Sequence, residues 1–172
     1  DVLLNGSLVS KSNSKYQNVS YVEQDPKFFS NLTVRETLML DCQLRDAHAS
    51  KQECEMIVEN VLSRYGLLSC ADTLVGGDSG GKEVRGISGG EKRRLSIACE
   101  TAFSFGGSSG SRDNSSVDGK WQQQRQQHQL VVCDEPTSGL DAFSADRVVS
   151  QLAGLAVERR AVVVCSLHQP RS

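Results

Sequence analysis

Two adjacent carboxylates, Asp134 and Glu135, end the continuously apolar stretch LVVC at residues 130–133. A run of this kind is typical of a strand buried on both faces, so both acids should lie at a fixed strand tip. There Asp134 could hold Mg²⁺, usually through water because this ion dehydrates reluctantly, while Glu135 could polarise an attacking water. A solvated strand end before a proline turn explains the same residues. The pair by itself therefore leaves phosphoryl chemistry as one of two interpretations.

A second candidate is ISGGE at residues 87–91, in which Ser88 and Glu91 have the S-x-x-E spacing of a capping box. We expect Ser88 to cap a helix and Glu91 to bond back to the Ser88 amide. Gly89 and Gly90 carry no side chains to screen the free amides, and such an end can hold a phosphate through N–H groups and the helix dipole. A capped surface helix after a glycine turn is the alternative interpretation.

The segment GGDSGGKE at residues 76–83 matches the G-x-x-x-x-G-K part of a phosphate-binding loop. It ends in Glu83, where a hydroxyl must bind Mg²⁺, and VRGISGG follows it instead of the helix that such a loop requires. We therefore predict that this segment is not the phosphate loop. The true loop is expected upstream of Asp1, and the strand-like first and last segments predict a chain truncated at both ends.

Two further capping boxes predict where helices begin in the middle of the chain. Thr33 with Glu36 opens LTVRETLMLDCQLR, and Ser50 with Glu53 opens SKQECEMIVENVLSRYGLL. In both segments apolar residues recur on one helix face. These residues are Val34, Leu38 and Cys42 in the first segment and Cys54, Ile57, Val58, Val61, Leu62 and Tyr65 in the second. Residues 28–100 are thus predicted to form a mainly helical subdomain.

The last part of the chain, residues 130–172, alternates between strand and helix. LVVCDE is predicted as a buried strand, DAFSADRVVSQLAGLAVERR as a helix, and AVVVCSLH as another buried strand. This order predicts a parallel α/β unit whose strand ends place Asp134, Glu135 and His168 at one ligand-binding edge. Short strands are also predicted in DVLLNGSLV and VSYVEQD. Residues 104–129, rich in Gly and Ser and then in Gln, are predicted to be a disordered insert.

Taken together, ISGGE, LVVCDEPTSGLDA and SLHQP resemble, in this order and spacing, the nucleotide-binding domain of ABC transporters. ISGGE is similar to the family signature, LVVCDE to the Walker B strand, SGLD to the D-loop, YVEQD to the Q-loop with Gln24, and His168 to the switch histidine. RGISGGEKRR, with Glu91 in place of the commoner Gln, and HQPR resemble the G subfamily of half-transporters. The resemblance implies that residues 1–172 are a partial ABC ATPase domain. Its fold would be α/β, a P-loop NTPase (RecA-like) core with an ABC-type helical subdomain.

The resemblance implies ATP and Mg²⁺ as cofactors. Glu135 and His168 would be the catalytic residues, with His168 binding the γ-phosphate. Asp134 and Gln24 would hold the metal, and Gln24 would also link the helical subdomain to a transmembrane domain of the same protein.

The resemblance also assigns the signature turn to a site shared between two ABC ATPase domains, in a homodimer or a heterodimer. Ser88, Gly89, Gly90 and Glu91 would bind an ATP held mainly by the partner domain. Asp141 would cross the interface between the domains. The amides predicted to be free at this helix start would then form half of a shared pocket.

The function implied is ATP hydrolysis that powers export of lipids, sterols or other hydrophobic molecules across a membrane, with the ATPase domain on the cytoplasmic side. A soluble ABC ATPase of the DNA-repair or translation type and a non-catalytic nucleotide-binding half are the alternatives. A net charge of −2 over 172 residues provides no basic face for nucleic acid. The six cysteines lack C-x-x-C spacing, which predicts buried thiols in a reducing compartment.

Overall fold

The computed structural model of the chain describes residues 3–4, 7–8, 19–46, 49–102, 130–158 and 161–167. The predicted insert at 104–129 and His168 lie outside these residues. In chain order the elements are β1 (Leu3–Leu4), β2 (Ser7–Leu8), β3 (Val19–Val22), α1 (Val34–Arg45), α2 (Lys51–Arg64), a 3₁₀ turn (Leu68–Cys70), β4 (Gly77–Ser79), β5 (Lys82–Val84), α3 (Gly89–Ala102), β6 (Leu130–Cys133), α4 (Ala142–Glu158) and β7 (Val162–Cys165).

Three parallel strands form the sheet that carries the candidate site. The central strand is β6, with β3 on one side and β7 on the other. The register aligns Val22, Cys133 and Cys165 as the last residues of the three strands. Whatever follows each strand therefore emerges at the same edge of the sheet. The predicted parallel unit of β6, α4 and β7 is confirmed, and β3 joins it from a distant part of the chain.

The capping boxes form where the sequence predicts them. Thr33 and Glu36 bond reciprocally at the start of α1, and Ser50 and Glu53 do the same at the start of α2. The predicted apolar faces of both helices are buried, except that Ile57 is half-buried. These two helices pack against each other, and α1 also contacts α3. Local sequence therefore determines both where these helices begin and which face they bury.

A β-hairpin interrupts the predicted helical region. The segment that resembled a phosphate loop forms β4 and β5, which pair antiparallel around a turn at Gly80 and Gly81. At the base of the hairpin the backbone of Gly76 lies directly against that of Gly86, and Lys92 Nζ of α3 donates a hydrogen bond to Gly76 O at 3.0 Å. The segment thus lacks the strand-to-helix geometry of a phosphate loop, in agreement with its rejection on sequence grounds.

The described core extends from the sheet into the helices. Helix α3 packs against β3, and α4 packs against β7. All six cysteines are free, and Cys42, Cys54, Cys70 and Cys133 are buried, as expected for thiols that replace apolar side chains. Burial raises the pKa of Cys70 to about 11, so this thiol stays protonated. No helix in the described ranges is both long and apolar enough to cross a membrane.

Candidate functional site

The residues that follow β3 and β6 meet at the carboxyl edge of the sheet. Asp134 N donates a hydrogen bond to Val22 O at 2.9 Å, which extends the ladder between the two strands by one residue. One position further on, Gln24 Nε2 donates to Glu135 Oε2 at 2.7 Å. The structure therefore brings Gln24, Asp134 and Glu135 together, although Gln24 is far from the two acids in sequence.

Glu135 has an unusual backbone conformation. Its φ of 40° makes it the only residue other than glycine with a positive φ among those the structure describes. Such a conformation costs on the order of 1–3 kcal/mol and persists only where its surroundings impose it. Here Glu135 N donates to Ser166 Oγ at 2.8 Å, and Ser138 N donates to Glu135 O at 3.0 Å. The backbone on both sides of this carboxylate is thus held by hydrogen bonds.

Ser166, which sequence reasoning did not select, belongs to this cluster. It directly follows β7, and its hydroxyl donates to Asp134 Oδ1 at 2.7 Å. The signal was present in the sequence, because VVC precedes both Asp134 and Ser166. If the two VVC segments pair in register, as they do, the next residues lie side by side.

Arg93 is a second residue near the site that sequence reasoning did not select. It is only 7% exposed, and its Nη1 donates to Glu23 O at 2.8 Å. Burial lowers the pKa of this guanidinium, while the nearby Asp25 and Asp134 carboxylates oppose that change. A buried cation on α3 therefore fixes the segment that carries Gln24.

The signature turn has the predicted capping geometry. Glu91 N donates to Ser88 Oγ at 3.3 Å, and Ser88 N donates back to Glu91 Oε2 at 2.8 Å. Burial favours a higher pKa for Glu91, but the hydrogen bonds with Ser88 and Cys70 and the charge of Arg94 together outweigh burial and lower the pKa. Glu91 is thus stabilised as a carboxylate at the positive end of α3.

The two glycines of this turn have different surroundings. Gly89 is exposed, as the sequence suggested, whereas Gly90 is buried against α4. A Cβ on Gly90 would lie 2.9 Å from Ser144 Oγ, so glycine is needed there for close packing of the helices. At the start of α4, Ser144 N donates to Asp141 Oδ1 at 3.0 Å, and this bond lowers the pKa of Asp141. The first turns of α3 and α4 therefore lie against each other.

The predicted site residues thus fall into two groups. One group lies at the strand ends, and the other lies where α3 and α4 begin. Among the residues described, no hydrogen bond joins the two groups. The strand-end group consists of Gln24, Asp134 and Glu135, and the helix-start group of Ser88, Gly89, Gly90, Glu91 and Asp141.

The strand-end group offers ligands suited to Mg²⁺. Asp134 Oδ1 accepts a hydrogen bond from the Ser166 hydroxyl, so Oδ2 remains to bind a cation or a water of its hydration shell. Mg²⁺ prefers oxygen ligands and, in phosphoryl-transfer sites, takes one or two carboxylates together with substrate phosphates. Among the residues that the structure describes, no group of three or more His, Cys, Asp or Glu could hold a metal ion. The Asp134 carboxylate is thus a ligand of the kind that Mg²⁺ prefers.

Comparison with known proteins relates the chain to one family. The family model described as "ABC transporter" matches residues 1–103. "ABC transporter G family member 7" of Arabidopsis thaliana is 41% identical over 161 residues, which cover 93% of this chain and 18% of that protein. "ATP-binding cassette sub-family G member 8" of Homo sapiens is 38% identical over 155 residues, 90% of this chain and 19% of that protein.

A further relative comes from an insect. "Protein scarlet" of Drosophila melanogaster is 35% identical over 173 residues, which cover 100% of this chain and 22% of that protein. The chain thus spans only about a fifth of the length of the curated relatives it matches, with shares of 18%, 19% and 22%.

Proposed function

Because the chain belongs to the ABC transporter family, we propose that it forms part of the ATP-binding and ATP-hydrolysing domain of a G-subfamily transporter. The family has a P-loop NTPase fold, and the parallel sheet of β3, β6 and β7 is consistent with it. The observation that carries the proposal is the meeting of Gln24, Asp134 and Glu135 at the strand ends. In open α/β sheets this edge is where ligands bind.

In the proposed reaction Glu135 is the general base. Its Oε2 already accepts a hydrogen bond from Gln24, so the carboxylate is oriented before substrate arrives. When bound, Mg²⁺ would neutralise charge on the β- and γ-phosphates. Asp134 and Gln24 would hold the ion, Glu135 would accept a proton from the attacking water, and His168 would contact the γ-phosphate by analogy with the family motif.

The second group of residues is proposed to act on the nucleotide of another ABC ATPase domain. Ser88 and Gly89 are exposed and Glu91 is half-buried at the start of α3, where backbone N–H groups and the helix dipole favour a phosphate. Gly90 supports this surface by allowing α4 to approach α3, and Asp141 lies beside it at the start of α4. The first turns of α3 and α4 together provide one surface for binding a partner domain.

The membrane component of the proposal rests on the relatives. Their names place them among G-family ABC transporters, and the chain matches them over 90% or more of its own length. We propose that the domain lies on the cytoplasmic side, is joined to a transmembrane domain of the same protein, and drives export of lipids, sterols or other hydrophobic small molecules.

The function is tested with the full-length protein that contains this segment. Purified protein should hydrolyse ATP in the presence of Mg²⁺ and stop when the ion is chelated. ATP binding without hydrolysis under any Mg²⁺ concentration would instead support the non-catalytic nucleotide-binding half.

The shared site predicts that a lesion in the signature turn acts on the partner domain. Replacing Ser88 with Arg should place a bulky cation at the exposed start of α3 and disable the ATP site that this turn completes on the partner domain, while each single domain still binds ATP. A heterodimer with Ser88→Arg in one subunit and Glu135→Gln in the other would then carry both changes at the same ATP site and keep its second ATP site intact. It should retain more ATPase activity than a heterodimer carrying both changes in one subunit.

The control for this experiment is Ser63→Arg, which adds the same side chain at an exposed position near the end of α2. This variant should behave like the wild type. Higher activity with both lesions in one subunit than with one in each would show that Ser88 acts on its own domain's nucleotide, against the proposal.

A further inference from the structure

A serine at the end of β7 links the two acidic residues of the site. Ser166 Oγ donates to Asp134 Oδ1 at 2.7 Å and accepts from Glu135 N at 2.8 Å. Ser166 N in turn donates to Cys133 O at 3.0 Å, which fixes the serine backbone to the end of β6. One hydroxyl therefore contacts both consecutive residues at the strand tip, through the side chain of one and the backbone of the other.

Each of the two hydrogen bonds has a distinct consequence. The bond to Asp134 sets the rotation of the carboxylate, so that Oδ1 faces β7 and Oδ2 remains for the cation. The bond from Glu135 N holds a residue whose φ of 40° is otherwise unfavourable, and this backbone directs the Glu135 side chain toward Gln24. Without the hydroxyl the carboxylates would each gain rotational freedom.

We propose that Ser166 is a positioning residue for ATP hydrolysis, one that orients Asp134 for Mg²⁺ and Glu135 for the attacking water. This inference rests on the function proposed above. Ser166 acts through Asp134 and Glu135 rather than on the substrate itself. It plays the part that hydrogen-bonding partners of metal ligands commonly play, in which loss of the partner typically lowers metal affinity or activity about 10- to 100-fold.

The test compares Ser166→Ala with Ser166→Thr in the full-length protein. The alanine variant loses both hydrogen bonds and should show a kcat reduced about 10- to 100-fold, with the KM for ATP close to the wild-type value. Threonine keeps a hydroxyl on the same carbon and should restore most of the loss. Ser150→Ala, at an exposed position of α4, is the matched control and should leave kcat unchanged.

A second readout does not depend on activity. Hydrogen exchange of the Glu135 amide in the nucleotide-free protein should be faster in Ser166→Ala than in wild type, because this amide loses its acceptor. Exchange within Leu130–Cys133 should stay the same, since those amides belong to the strand ladder. A change confined to Glu135 separates loss of positioning from a general loosening of the sheet.

The possible outcomes distinguish this inference from the proposed function. Wild-type protein without Mg²⁺-dependent ATPase activity would overturn the proposed function. Active wild-type protein together with a Ser166→Ala variant of unchanged kcat, or of unchanged Glu135 exchange, would overturn the positioning role of Ser166 and leave the proposed function intact.

Discussion

Replacing Glu135 with Gln is expected to lower ATP turnover of the full-length protein about 10²- to 10⁴-fold, the range typical of losing a general base. The amide keeps the shape of the side chain, and its oxygen can still accept the hydrogen bond from Gln24 Nε2. It cannot accept a proton from water at neutral pH. ATP binding should therefore stay close to the wild-type level while steady-state hydrolysis is lost.

The matched control for this change is Glu83→Gln. Glu83 is an exposed glutamate on β5, within the hairpin that resembled a phosphate loop in sequence. Its substitution removes the same charge and should leave turnover unchanged. Near-normal hydrolysis by Glu135→Gln, or an equal loss in both variants, would remove Glu135 from the proposed role.

Substituting Gly86 with Ala is expected to destabilise the structure by about 3 kcal/mol, at the upper end of the range usual for overpacking. The added Cβ would lie 2.2 Å from Val75 O and 2.4 Å from Val75 C. Both atoms belong to the backbone, so no side chain can rotate to relieve the overlap. The close approach of the backbones at Gly86 and Val75 also positions Ile87, which precedes the signature turn and whose N donates to Leu74 O at 3.1 Å.

The matched control is Gly154→Ala in α4, where the new Cβ would find its nearest atom at 3.9 Å, the flexible Glu158 Oε1. Glycine inside a helix is less favourable than alanine by about 0.8–1.0 kcal/mol, so this variant should be stabilised. Thermal unfolding of the full-length protein should therefore shift in opposite directions for the two variants. A midpoint of thermal unfolding for Gly86→Ala at or above that of wild type would contradict the close approach of the backbones at Gly86 and Val75.

Features encoded within a few residues could be predicted from the sequence. The three capping boxes at Thr33, Ser50 and Ser88 each need only a partner three residues away, and all three form. Strands β6 and β7 and the helix between them follow from continuous apolar runs and helical periodicity. The prediction that β7 is buried was wrong, because Val162 and Val164 are 55% and 50% exposed. Placement of Asp134 and Glu135 at a sheet edge follows from the parallel arrangement of such a unit.

Features that depend on pairing between distant segments could not be predicted in the same way. Periodicity does not specify that β3 pairs with β6, and this pairing is what brings Gln24 to Glu135. The burial of Gly90 depends on the approach of Ser144, and the burial of Arg93 on the position of the segment after β3. In each case the contact joins residues that are far apart in sequence. Local sequence therefore identifies the residue but does not predict what it packs against.

Hydrolysis at the strand ends through Glu135 is tested most directly by identifying the nucleotide that the full-length protein retains. Wild-type and Glu135→Gln proteins are incubated with ATP and Mg²⁺, free nucleotide is removed rapidly, and the bound nucleotide is separated by chromatography. The wild type should retain mainly ADP and the variant mainly ATP, because the variant binds the substrate but lacks the base that activates water. Bound ADP in the variant at the wild-type proportion would contradict hydrolysis through Glu135.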